Sequence, residues 1–278
     1  MKTYFRIFGS LLGLVWLTSA CNNPNPAPGM DVEMQSLTDS ASDRLVHELG
    51  AVRKNIEQSA TLYTRLNAEE CPYNPGLAVE PERNHNTSNA MAFGFGELGA
   101  KFVYTASYGQ TQHANEYLAQ ILDLSEKMGI RQSFNEEQLR QLALSDPEID
   151  KSAILTKAYL RATDQLYTEE RAVMVSYMVL GGWIEGMSLS YEICGEYLED
   201  DNIRLGLYDQ TYGYYNCIRL LKAFDSNETT HRSLELMLEL EPLMERVVQS
   251  RGVLSRELFT EVKESIENLE SQMEELWS

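Results

Sequence analysis

The chain has 278 residues, 43% of them hydrophobic, and carries 42 acidic against 23 basic side chains for a formal net charge of −19. That apolar share supports a packed core, and the excess of acid argues against nucleic acid or anionic lipid head groups as partners, since both would repel it. Four cysteines without a CxxC, CxxCH or Cys/His cluster disfavour structural zinc and covalent haem.

Lys2 and Arg6 open the chain, and an apolar run from Ile7 to Leu17 follows, interrupted only by glycines and Ser10. The run is too short to span a bilayer as a mature helix and reads as a secretory signal. It ends on Leu17-Thr18-Ser19-Ala20-Cys21, which resembles a bacterial lipobox. The resemblance implies cleavage before Cys21 and attachment of lipid, palmitate among the acyl chains, to that cysteine. Loss of residues 1–20 removes Lys2, Arg6 and no acid, so the net charge moves from −19 to −21. Asn22, rather than aspartate, after the cysteine is compatible with outer-membrane sorting. Asn22-Asn23-Pro24-Asn25-Pro26-Ala27-Pro28-Gly29 cannot form regular structure and reads as a tether. The expected plan is signal over 1–20, lipidated cysteine and tether over 21–35, and one all-helical domain over 36–278.

Beyond Ser36 no apolar/polar alternation is sustained, and no Asn-Gly or Asp-Gly turn separates apolar runs. The expected fold is all-α, a bundle of about nine helices near 37–68, 89–109, 111–128, 135–145, 147–166, 169–195, 202–224, 227–250 and 255–277. Asn135 with Gln138 reads as a capping box, Asp146-Pro147 as a helix start, and Ser226-Asn227 as another. Three prolines, a glycine and several asparagines make Cys71–Ser88 a long loop. The last helix repeats Leu258, Val262, Ile266, Leu269, Met273 and Leu276 at three- and four-residue steps, which predicts a stripe packed on its own domain.

Ala172–Tyr191 holds a single charge, Glu185, and reads as a helix buried nearly all round, with a transmembrane span as the competing reading. Gly182 and Gly186 there, with Gly94, Gly96 and Gly99 on the 89–109 helix, predict that these two helices touch. Tyr108-Gly109-Gln110-Thr111 recurs at an offset of 100 as Tyr208-Asp209-Gln210-Thr211, with Leu118/Ile218 and Ile121/Leu221 following in register. This echo suggests two pseudo-repeated helical halves.

With Cys21 assigned to lipid, Cys71, Cys194 and Cys217 remain. A Cys194–Cys217 disulfide between consecutive helices and three buried thiols are both open readings.

Glu185 is the sharpest candidate for chemistry, because a carboxylate alone on an apolar helix loses hydration that something must offset. Glu97 is its expected counterpart, with Lys101 one turn on as a partner along the helix. The structural alternative is that both hold helix register. Glu82–His85 and Glu228–His231 share the spacing of helical di-metal sites, but one falls in the loop and the other in a first helical turn, so no metal is expected. No nucleophile elbow, P-loop or dinucleotide motif occurs, and no cofactor or catalytic residue is assigned. Tyr208, Tyr212 and Tyr215 form one helical stripe, and with Gln110 and Gln210 they could line a pocket between central helices.

Tyr108-x-Gln110, Tyr117, Met128-Gly129-Ile130 and Gly181-Gly182-Trp183-Ile184-Glu185-Gly186 resemble a pattern in all-helical lipoproteins of Bacteroidetes, over about residues 90–225. The resemblance implies an envelope lipoprotein and no catalytic residues. The leading functional expectation is a lipid-anchored, non-enzymatic helical domain that binds a protein or envelope component. The alternative is capture of a small ligand at a tyrosine-lined pocket, and an enzyme built on Glu185 and Glu97 stands third.

Overall fold

A computed structural model of the chain describes residues 50, 54, 61–63, 71–78, 85–146, 148–169, 171–195, 198–224 and 227–277. The chain divides into two compact units, Met1–Arg44 and Leu45–Ser278, and every described residue belongs to the second. The predicted signal, Cys21 and the tether lie outside the described residues, as does most of the predicted 37–68 helix, of which Gly50, Lys54 and Thr61–Tyr63 are helical.

The described residues from Ser88 onward form nine α-helices and no strand: α1 Ser88–Ser107, α2 Thr111–Lys127, α3 Glu136–Ala143, α4 Lys151–Thr168, α5 Ala172–Cys194, α6 Asp201–Ala223, α7 Glu228–Glu239, α8 Glu241–Gln249 and α9 Arg256–Trp277. The all-α expectation holds. Side-chain oxygens at the starts explain most boundaries, because they accept from backbone N–H groups that lack helical partners. Thr87 accepts from Ala90, Asn227 from Thr230, and Asp200 from Asn202 and Ile203. Asn135 and Gln138 form the reciprocal capping box that their spacing predicts.

Two boundaries differ from the sequence reading. Asp146 accepts from Glu148 within a turn, and Asp150 takes the cap by accepting from Ala153, so α4 begins at Lys151 and not at 147. The expected 227–250 helix is broken at Leu240 into α7 and α8. Pro242 lies in the first turn of α8, where its missing N–H costs nothing, and its ring would clash with an uninterrupted preceding turn.

Left-handed glycines end α1 and α2. Gly109 (φ 67) and Gly129 (φ 70) each let the following residue bond back to the last turn, Gln110 N–H to Thr105 and Ile130 N–H to Ser125. The two copies of the four-residue echo differ in local structure at this point. Tyr108–Thr111 is a helix-ending turn, whereas Tyr208–Thr211 lies inside α6, where Asp209 takes the place of the turn-forming glycine.

Helix α5 is the centre of the bundle and packs on α1, α4, α6 and α9. It is the one described helix long and apolar enough to cross a membrane, and 78% of its most apolar window is buried inside the protein. Its most extensive contact is with α1, as the glycines predict. The approach is close enough that a Cβ on Gly96 would lie 2.0 Å from the Met178 carbonyl oxygen, and one on Gly181 would lie 2.1 Å from that of Phe93. Gly94 instead faces the His85 ring, and Gly99 faces open space. Helix α9 buries its apolar stripe against α5, α7 and α8.

The Cys194–Cys217 pairing is not formed. Cys71, Cys194 and Cys217 are separate buried thiols. Cys194 feels Cys71 across the core, while Cys217 lies beside Tyr159, so consecutive helices carry the two sulfurs toward different neighbours. Burial is the main influence that pushes both thiols far above the ordinary range. The thiolate is the reactive form, so alkylation at neutral pH followed by peptide mass mapping is expected to leave Cys194 and Cys217 unmodified until denaturant is added. Rapid labelling of either in the folded protein would contradict this packing.

Candidate functional site

The α1–α5 crossing places charge just beyond its glycines. Glu97 follows Gly96, Lys101 lies one turn further along α1, and Glu185 lies one turn past Gly181. Helix α9 adds Glu270, so carboxylate oxygens of Glu97, Glu185 and Glu270 all come within 4.8 Å of one another. Lys101 Nζ stands 3.6 Å from Glu185 Oε2. Glu97, Lys101 and Glu185 are only 3%, 5% and 4% exposed. The expected Glu97–Glu185 pairing is therefore present, and Lys101 reaches across the crossing to Glu185 as well as sharing a helix face with Glu97.

Glu270 was missed by the sequence reading. Its signal was a glutamate wedged between Leu269 and Met273 of the apolar stripe, one of many glutamates on that helix and unremarkable without its neighbours.

Three carboxylates this close would repel strongly in a medium of low dielectric. The Lys101 ammonium offsets part of that repulsion at Glu185. A general acid or base must come within hydrogen-bonding distance of a reacting atom, and here Glu97, Lys101 and Glu185 are buried while Glu270 is half-buried. The arrangement suits fixing helix register, since the charges leave no partner if one helix slides. Among the described residues, Glu97, Glu185 and Glu270 have the spacing to bracket a cation.

A line of aromatic rings runs outward from this cluster. Tyr63 donates to the Gly186 carbonyl at 3.3 Å, and its ring lies 5.8 Å from Tyr104, which stacks on Tyr73 at 5.3 Å. Tyr73 Oη bonds His113 Nδ1 at 2.8 Å, and Tyr108 meets Tyr104 edge-on at 5.2 Å. The stack docks the 71–78 part of the predicted loop: Asn74 N–H donates to Tyr104 Oη at 3.0 Å, and Tyr117 Oη donates to the Ala78 carbonyl at 2.6 Å.

Burial, followed by the charge on Glu185, drives the Tyr63 hydroxyl far above its ordinary value, and burial pushes Tyr104 up to about 12. A tyrosine whose folded value exceeds its unfolded value of 10.0 contributes stability that is complete below that pH and lost as pH rises through the folded value. In an alkaline titration the phenolate absorbance of Tyr63 and Tyr104 is expected to appear together with loss of helical circular dichroism above about pH 12. Smooth ionisation near pH 10 of a still-folded protein would contradict it.

The tyrosine stripe of α6 does not line a central pocket. Tyr212 is 48% exposed with Lys54 Nζ 5.3 Å from its ring centre, Tyr208 is half-buried, and Tyr215 is half-buried with its ring edge-on to Tyr214 at 5.0 Å. The inward member is Tyr214, which donates to the Met237 carbonyl at 2.9 Å. Trp183 occupies the space between α5 and α6, lying against Gly213 and donating to the Gln210 carbonyl at 3.0 Å. Gln110 donates to the Tyr108 carbonyl and Gln210 to that of Gly206. His231 lies in the first turn of α7, 3.5 Å from Glu235, and His85 packs on Gly94. Glu82 lies outside the described residues, and the two Glu-x-x-His motifs serve separate elements.

A cleft does open elsewhere, between the α1–α2 turn and the start of α4. It has a volume of about 610 Å³, and its walls include Ser107, Tyr108, Asp146, Asp150, Lys151 and Ser152. Burial pulls the Lys151 ammonium below its ordinary value.

Compared with known proteins, the chain matches no family model, no curated sequence and no solved structure.

Proposed function

We propose that this chain is a lipid-anchored protein of the cell envelope, held in the outer membrane through Cys21, whose acidic helical body binds a protein or envelope component and catalyses no reaction. The anchor rests on Leu17–Cys21 and the proline-rich stretch behind it. The observation that carries the binding reading is the Lys101–Glu185 ion pair at 3.6 Å. It commits the one charged group of the central apolar stretch to holding helices together instead of to a substrate.

Two measurements test this reading. Cys21→Ser should release the protein from envelope membranes and remove the lipid mass, and unchanged membrane retention would overturn the anchor. The purified protein should turn over no member of an ester, glycoside and phosphate panel; turnover that disappears in Glu185→Gln, with folding retained, would overturn the non-enzymatic half.

A small-ligand reading draws support from the cleft beside α4 and not from the α6 tyrosines.

A further inference from the structure

The cleft between the α1–α2 turn and the start of α4 mixes polar and charged groups of both signs with Ala106, Gly109 and Ile149. Asp146 and Asp150 would repel an anion. Lys151 and the N-terminal end of α4 would repel a bare cation. Hydroxyls of Ser107, Thr111, Ser145 and Ser152 add donors and acceptors to the same walls. A ligand matched to this lining is neutral overall and itself rich in hydroxyls.

Several wall groups are held in place before any ligand arrives. Asp146 is fixed by accepting from the Glu148 amide at 3.0 Å, and Asp150 by accepting from that of Ala153 at 2.9 Å. Each uses one named oxygen for this. The Tyr108 ring is clamped between Tyr104, 5.2 Å away, and Tyr73, 5.7 Å away, at the end of the aromatic stack. Gly109, with φ 67, turns the chain sharply there and adds no side chain to the wall. Prepositioned acceptors beside an aromatic ring lower the ordering cost of binding, and the volume lies within the range of about 300–1,000 Å³ usual for small-molecule sites.

We infer that this cleft is a saccharide-binding site that takes a short neutral oligosaccharide, with Asp146 and Asp150 accepting hydrogen bonds from its hydroxyls and Tyr108 flanking a sugar ring. The inference goes beyond the anchored binding module and does not depend on the lipid. Loss of either reading leaves the other measurable.

The test uses the whole protein and a panel of neutral disaccharides covering glucose, galactose, mannose and N-acetylglucosamine, read by saturation-transfer NMR and then calorimetry. At least one is expected to bind with millimolar or tighter affinity. The double change Asp146→Asn, Asp150→Asn keeps both backbone caps, because asparagine caps as well as aspartate. It should weaken that binding by about tenfold or more as charge-assisted bonds are lost, with the melting temperature held. Ser152→Trp, which fills the cleft, should abolish binding, and Tyr212→Ala on the far stripe should leave it unchanged. Silence across the whole panel, or binding indifferent to both cleft variants in folded protein, would overturn the inference.

Discussion

Gly96→Ala and Gly181→Ala are each expected to lower folding stability by about 3 kcal/mol or more, at the upper end of what overpacking costs. In both cases the new methyl meets backbone, 2.0 Å from the Met178 carbonyl oxygen or 2.1 Å from that of Phe93, and backbone inside two packed helices has no alternative rotamer. Relief requires moving α1 away from α5, which unpacks the largest contact in the bundle. The same crossing supplies graded controls. Gly182→Ala would place its methyl 3.4 Å from the Gly96 carbonyl oxygen, an ordinary contact, and should change little. Gly99→Ala meets nothing within 4 Å, and the general advantage of alanine over glycine inside a helix, about 1 kcal/mol, should leave it neutral or stabilised. Urea unfolding followed by circular dichroism orders the four variants. Equal midpoints for Gly96→Ala and Gly99→Ala would mean that the helices do not meet as described.

Lys101→Met is expected to cost about 3–5 kcal/mol, the range for removing one partner of a buried ion pair. The thioether fills most of the lysine stem's space, so the loss reads charge more than volume. What remains is Glu185 beside Glu97 and Glu270, with oxygens within 4.8 Å and no ammonium at 3.6 Å. Adding Glu185→Gln should recover part of the loss, giving a coupling energy of at least about 1 kcal/mol in a double-mutant cycle. Absence of coupling would show that Lys101 acts through packing alone.

Much of the bundle was legible because its signals are local. The capping box at Asn135 and Gln138, the stripe of α9 and the unbroken apolar run of α5 are each written within one or two turns of chain. Errors arose where a local signal had a stronger neighbour. Asp146-Pro147 looked like a helix start, yet Asp150 offered a better cap, and Pro242 divided a helix whose apolar spacing ran straight through it. The site was legible only in part. Glu97, Lys101 and Glu185 stand out beside glycines that force two helices together, but Glu270 reaches them from a helix distant in sequence, and no spacing rule connects the two. The tyrosine stripe misled because a tyrosine on a helix face packs against neighbours as readily as it lines a pocket, and Trp183 had already filled the space. The cleft beside α4 escaped notice because its walls are serines, aspartates and a lysine drawn from two separate turns, residues that look like ordinary loop surface until the fold brings them together.

The part played by Glu270 has a consequence for the order of assembly. Helix α9 supplies both the third carboxylate and an apolar stripe that covers α5, α7 and α8. A nascent chain that ends before Arg256 holds every other part of the centre but leaves that flank of α5 uncovered. Consolidation of the bundle therefore waits on α9, because its closing contacts join residues far apart in the chain. Until α9 docks, that flank of α5 stays uncovered, and a truncation that removes α9 makes the exposure permanent.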